Sequence, residues 1–246
     1  MKKIVLFIFI FLSAANLRSQ DFDYTVSTDS VAWNELSAQT ILNTGNSAWS
    51  FSYKIPIGFT FNYLGRNFDS LTIETNGYIV FDEDRNYALT AFSGVGDCVD
   101  SEGNHAIIGY ELSGTVGNRI LKIQYKNCGL SGSSSETQSW QIWLRENGNV
   151  EVRIGPGTLR TNEIGVLVVN EETFEESFST ILVIDTEQNC RIGLLNMNMD
   201  TEVRGLFIGS SCTSPQTRAV NEEYPETLYL DSVPNRGFRY TFTPSN

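Results

Sequence analysis

Few residues in this chain can do covalent chemistry. Its one imidazole is His105, in GNHAIIG. A Ser-His-Asp arrangement is arithmetically open, but no Gly-x-Ser-x-Gly elbow occurs to carry the serine. No His-Glu-x-x-His, Cys-x-x-Cys or glycine-rich phosphate loop is present, so zinc and nucleotides have no recognisable cradle. His105 therefore reads as a loop or strand-edge histidine.

Carboxylates are the abundant reagent, with 29 Asp and Glu against 17 Lys and Arg. Two carboxyl groups at a set separation, one protonated and one ionised, are enough for glycoside hydrolysis. A carboxylate-dependent glycan hydrolase, with or without calcium, is thus the enzymatic reading, although abundance singles out no pair. Asp97, Asp100 and Glu102, in DCVDSEGN, bring hard oxygen ligands into one loop. That chemistry suits calcium; the spacing is not that of the helix–loop–helix calcium motif, and a solvated acidic loop is the other reading. No other cofactor is implied.

Aromatic side chains open a second route to function. The four tryptophans, Trp33, Trp49, Trp140 and Trp143, can stack on the apolar face of a pyranose or fill a core. Which of these each one does depends on the elements that carry it.

Those elements have a period of two. Residues 59–63, 107–112, 120–125, 140–144, 150–154, 164–169, 181–184, 206–208, 228–230 and 238–242 are short runs rich in β-branched and aromatic residues. Gly, Asn, Ser or Pro bounds them. Evenly spaced short strands with turn signals between them predict an all-β, antiparallel β-sandwich of jelly-roll type with about 12 strands. Only 171–178 reads as a short helix, while 129–138 reads as a loop and 213–226 as a connection to a final hairpin.

Parity then sorts side chains between faces. Trp140, Ile142 and Leu144 precede ENGN, and Val150, Val152 and Ile154 follow it. Facing residues of an antiparallel pair share a side of the sheet, so these sets meet only if 144 pairs with 150, 142 with 152 and 140 with 154. A two-residue turn gives the wrong sum. A three-residue loop with Gly148 in the left-handed region gives the right one. Trp140 is then core, and Trp143 lies on the polar face with Gln141, Arg145, Glu151 and Arg153. Gln141, Trp143, Arg145 and Arg153 are accordingly the candidate binding residues; cover by a loop or second sheet is the alternative for Trp143. By the same arithmetic, 59 and 61 match 71 and 73 through a loop at 64–68, and Asn76-Gly77 turns the chain back into 78–81.

The N-terminus reads as a secretory signal. Lys2-Lys3 precedes nine apolar residues and then small and polar ones to Gln20. A spanning helix needs about 20 apolar residues, so residues 1–20 read as a signal peptide and 21–246 as one domain. Cleavage can fall after Ser13-Ala14-Ala15 or nearer Ser19. Export leaves 14 basic residues against 29 acidic, a net charge of −15. Such a surface repels nucleic acid and acidic bilayers. No membrane insertion is expected after cleavage, and the destination is the periplasm or the exterior. There, Cys98, Cys128, Cys190 and Cys212 are expected as disulfides. A hairpin centred near residue 200 brings Cys190 towards Cys212. A turn near 115–116 brings Cys128 opposite about Gly103, beside Cys98. Four free thiols is the alternative.

Three blocks carry a family likeness: IPIGFTFNYLGRNFDSLTIETNGYIVF, YELSGTVGNRILKIQYKNCG and WQIWLRENGNVEVRIGP. In this order the chain resembles β-sandwich domains of exported proteins from Bacteroidetes-type bacteria, with a more distant likeness to nidogen-like extracellular domains. SAWSFSYKIPIGF and the closing PNRGFRYTFTP fit as well. Such domains commonly precede a sorting domain of the type IX secretion route and have no assigned chemistry. No such domain follows YTFTPSN in this sequence. The resemblance implies a non-enzymatic binding or accessory domain that recognises a glycan or an envelope or extracellular protein.

Overall fold

A computed structural model of the chain describes residues 24–43, 52–75, 77–83, 87–91, 106–129, 137–158, 192–198, 202–210, 215–222 and 235–245. These form two seven-stranded antiparallel sheets. The first holds β1 (Tyr24–Ser30), β2 (Thr40–Asn43), β7 (Ile107–Ser113), β8 (Ile120–Gly129), β9 (Thr137–Arg145), β10 (Val150–Gly157) and β14 (Phe238–Pro244), in the order β1-β14-β10-β9-β8-β7-β2. The second holds β3 (Ser52–Tyr63), β4 (Arg66–Glu74), β5 (Tyr78–Val80), β6 (Tyr87–Thr90), β11 (Ile192–Asn198), β12 (Glu202–Ser210) and β13 (Pro215–Glu222), in the order β13-β12-β11-β6-β5-β4-β3. The all-β antiparallel sandwich is therefore observed. The described residues carry fourteen strands, where about twelve were expected.

One continuous core joins the sheets. Phe59, Phe61, Tyr63, Leu71, Ile73 and Leu89 from the second sheet pack with Ile123, Tyr125, Trp140, Ile142, Val152 and Tyr240 from the first. Burying an aliphatic or aromatic side chain of this size contributes about 1.5–3 kcal/mol relative to leaving it in water. Tyr125 stacks on Trp140 at 4.7 Å between centroids. Its hydroxyl donates across the core towards the carbonyls of Glu74 and Tyr78, at 3.0 and 3.1 Å. A phenol can therefore lie in the core with its polar end matched.

The β9–β10 hairpin has the register that parity demands. Leu144 pairs with Val150, Ile142 with Val152 and Trp140 with Ile154. Gly148 has φ 89°, and the Arg145 carbonyl accepts from the Gly148 amide at 2.8 Å. The turn back from β4 into β5 is also present, with Gly77 at φ 93° and Ile73 paired with Ile79. Asn196 pairs with Arg204, which centres the β11–β12 hairpin at residue 200 as expected.

Elsewhere the register departs from the reading. The β3–β4 connection is a two-residue turn, Leu64-Gly65 with φ 50° and 79°, not a five-residue loop. It gives the pairs Tyr63↔Arg66 and Phe61↔Phe68. Taken alone, that odd sum would put Leu71 and Ile73 on the wrong face. The register shift between Pro56 and Phe61 repairs it, so Leu71 pairs with Ile55 and Ile73 with Tyr53. Phe59, Phe61, Leu71 and Ile73 all reach the core regardless. The β7–β8 turn is centred one residue later than read, with Ile107 opposite Lys126. The stretch read as a connection at 213–226 contains β13 instead; the ladder with β12 holds it although PQTRAVNE lacks an apolar alternation. The helix read at 171–178 and the strands read at 164–169, 181–184 and 228–230 lie outside the described residues, as does the signal region.

Gly148 is where the hairpin can be tested. A β-carbon there would meet Pro244 at 3.1 Å, in a backbone region that L-residues avoid. Gly148→Ala should lower stability by about 1–2 kcal/mol, read as a fall in urea midpoint, with Gly148→Asn recovering part of it because Asn tolerates positive φ.

Candidate functional site

The outer face of the first sheet is organised in two cross-strand rows. In one, Asp29 faces Arg239, Arg239 faces Arg153, and Arg153 faces Gln141. Gln141 faces Gln124, and Gln124 faces Gly109. In the next row, Ser27 faces Thr241, Thr241 faces Glu151, and Glu151 faces Trp143. Trp143 faces Lys122, and Lys122 faces Glu111. The period of two puts all of these side chains on the side away from the core.

Glu151 anchors the second row. It is only 3% exposed, yet its carboxylate accepts hydrogen bonds from three guanidinium groups. Arg145 donates through Nε, Arg153 through Nε and Nη2 at 2.9 and 2.7 Å, and Arg239 through Nη1 at 3.3 Å. Burial works against its ionisation, but the bonds from Arg153 and Arg145 outweigh it and hold the carboxyl below its ordinary range. Arg239 is shared with Asp29, which holds that carboxyl low as well. Glu151 is therefore a fixed negative charge beneath an arginine cluster.

Trp143 rests on this cluster. The Arg153 guanidinium carbon lies 3.3 Å from the ring centroid, with Lys122 at 5.0 Å and Arg145 at 5.8 Å. Its indole N–H donates to Gln141 Oε1 at 3.0 Å. The side chain is half-buried: the arginine stack covers part of it and the rest is open. What lies against Trp143 is side chains of its own sheet, not the loop or second sheet given as the alternative. The four binding candidates, Gln141, Trp143, Arg145 and Arg153, do come together.

Residues 31–39, which join β1 to β2, cross this same face beside the first row. Gln124 Oε1 accepts from the Leu36 amide at 3.1 Å, and Gln141 Nε2 donates to the Asn34 carbonyl at 2.8 Å. Lys126 pairs with Glu35 at 2.8 Å. Two glycines make room for the strap. A β-carbon on Gly155 would meet the Trp33 ring at 2.7 Å, and one on Gly109 would meet Gln39 at 2.5 Å. Gln141 is consequently buried and serves to seat the strap and orient Trp143, rather than as an open contact. Sequence parity identified the residues of β9 and β10. It missed Trp33 on the strap, Lys122 on the neighbouring β8 and Arg239, which β14 brings from the far end of the chain.

Near the end of β8 the alternation is interrupted. Asn127 takes φ 56°, and the register shifts between Tyr125 and Cys128. The Asn127 amide donates to Ser139 Oγ at 3.0 Å. The shift returns Cys128 to the interior, where it is fully buried. Cys98, Cys190 and Cys212 lie outside the described residues, as do His105 and the calcium candidates Asp97, Asp100 and Glu102. Among the described residues no group of three or more His, Cys, Asp or Glu side chains is placed to hold a metal ion.

The geometry defines an all-β sandwich whose first sheet has a tryptophan-bearing outer face laced with ion pairs. The family described as "NIDO related" matches residues 23–244, and the chain belongs to it. Comparison with curated proteins finds no match, and comparison with solved structures finds none.

Replacing Glu151 by Gln would leave three guanidinium groups facing one another without their carboxylate. Glu151→Gln should cost about 3 kcal/mol, the order found on breaking a buried ion pair, read by chemical denaturation at pH 7. Because the folded-state value is lowered, this contribution is complete above the ordinary carboxyl value of 4.5 and is lost as the pH falls below it. The destabilisation of Glu151→Gln relative to wild type should therefore shrink on acidification.

Proposed function

We propose that the chain is an exported, non-enzymatic binding or accessory domain that recognises a glycan or an envelope or extracellular protein through the outer face of its first sheet. The observation that carries this reading is the half-buried indole of Trp143, held by Arg153 and Lys122 on an otherwise polar face. An aromatic ring fixed in place and partly open loses little conformational freedom on binding and offers a large contact area. Neither Glu151 nor Asp29 is suited to be the proton donor of a glycosidase, which needs one carboxyl with a raised pKa. Both carboxyls are instead held low.

The reading includes export by the signal at 1–20 to the periplasm or exterior of a Bacteroidetes-type cell, with no nucleic-acid partner. It also includes the pairings Cys190–Cys212 and Cys98–Cys128. Non-reducing peptide mass spectrometry should recover both cross-linked pairs; any other pairing, or four alkylated thiols, contradicts this part.

For the site, purified protein is screened on a glycan panel and against envelope proteins. Trp143→Ala should weaken whatever is bound by about tenfold, the effect of losing roughly 1.4 kcal/mol. Its melting temperature should fall by only about 2–4 °C, since the lost cation–π stack is worth about 1 kcal/mol. Release of reducing sugar from any polysaccharide, or collapse of the fold in Trp143→Ala with unchanged binding in Trp143→Phe, overturns the reading.

A further inference from the structure

Resting on that reading, we infer that the ligand is an acidic polysaccharide, and that Trp33 is a second stacking residue beside Trp143. Trp33 belongs to the strap, and its six-membered ring lies against Gly155 of β10. Trp143 lies against Arg153 of the same strand. Trp143 itself stands opposite Glu151, four residues along β10 from Gly155, about 13 Å on an extended strand, which suits two separated sugars of one saccharide chain. Trp33 is half-buried. Its Nε1 is buried and has no partner among the described residues, so the indole offers a ligand no polar contact there. An apolar ring surface stacks on a sugar whatever the hydroxyl pattern, and two along one strand favour a chain over a single sugar.

Charge selects the class of chain. The whole protein carries 17 basic and 29 acidic residues, yet here Lys122, Arg145, Arg153 and Arg239 meet Glu111, Asp29 and Glu151, which leaves an excess of one positive charge. Glu151, the carboxylate beneath three of them, is nearly inaccessible. Arg145 commits Nε to Glu151; its terminal nitrogens find no partner among the described residues, and its side chain is 31% exposed. A guanidinium with two open donors next to an indole is the arrangement that takes a carboxylate or sulfate in a planar fork. A neutral glycan would leave those donors to water. A nucleic acid strand also combines stacking with negative charge, but the export proposed above takes the protein away from nucleic acid, and an oligonucleotide is a separate arm of the test. A uronic-acid chain has a ring to stack and one charge per sugar.

The test is affinity electrophoresis of the full-length mature protein through gels containing polygalacturonate, alginate or dextran, with a fluorescent single-stranded oligonucleotide as a separate arm. Retardation by an acidic polymer, weakened by salt and much stronger than by dextran, is expected. Trp33→Ala should weaken it by about tenfold, and Trp33→Tyr should restore most of it, because the phenol still stacks. Arg145→Gln should bring acidic and neutral polymers to equal retardation, with a modest fall in melting temperature because Glu151 loses one of its three guanidinium partners. If Trp143→Ala abolishes glycan binding while Trp33→Ala and Arg145→Gln behave as wild type, this inference fails and the broader proposal stands. Retardation by dextran as strong as by the acidic polymers also overturns it, as does binding of the oligonucleotide in preference to any glycan. If no glycan is bound and an envelope protein is, the glycan inference falls while the contact face survives.

Discussion

The shared hydrogen bonding of Glu151 to Arg145, Arg153 and Arg239 organises the outer face of the first sheet. One buried carboxylate draws together side chains from β9, β10 and β14, and through Arg239 it reaches Asp29 on β1. The guanidinium of Arg153 is held flat by this bonding, and a flat cation is what Trp143 needs beneath it. With the carboxylate absent, three like charges would repel, Arg153 would swing out and the indole would lose its support. The open part of Trp143 and the free donors of Arg145 are thus consequences of one ion cluster.

That cluster exists because of a constraint on loop length. With the β9–β10 loop closed by Gly148 at positive φ, the apolar residues of both strands point inward and Gln141, Trp143, Arg145, Glu151 and Arg153 all point outward. A loop shorter by one residue would oppose Leu144 to Glu151 and destroy both the core and the face. The β3–β4 hairpin shows a different solution. There a tight two-residue turn forces the wrong parity, and an irregularity farther along the strand restores it.

This contrast explains what was legible in the sequence. Alternation is a local signal, so the register of β9 with β10 and the inward position of Trp140 could be read from the fifteen residues 140–154. Bulges are invisible to a period of two: nothing in KNCG marks Asn127 as the residue that turns Cys128 inward. Contacts between chain ends are equally hidden. The strap at 31–39 has no alternation, and its purpose emerges only once Gly155 and Gly109 leave room for it and Gln141 and Gln124 bond to it. Trp33 therefore could not be separated from a core tryptophan, and Arg239 reaches Glu151 from the far end of the chain.

The central claim is that Trp143 stands on an open contact face while Trp140, three residues away, is sealed in the core. Hydroxyl-radical footprinting read by peptide mass spectrometry, without and with oligogalacturonate, tests it directly. The account predicts oxidation at Trp143 with none at Trp140, and protection of Trp143 when the oligosaccharide is added. Oxidation of Trp140 in the folded protein, or a Trp143 that is inert from the outset, would contradict it.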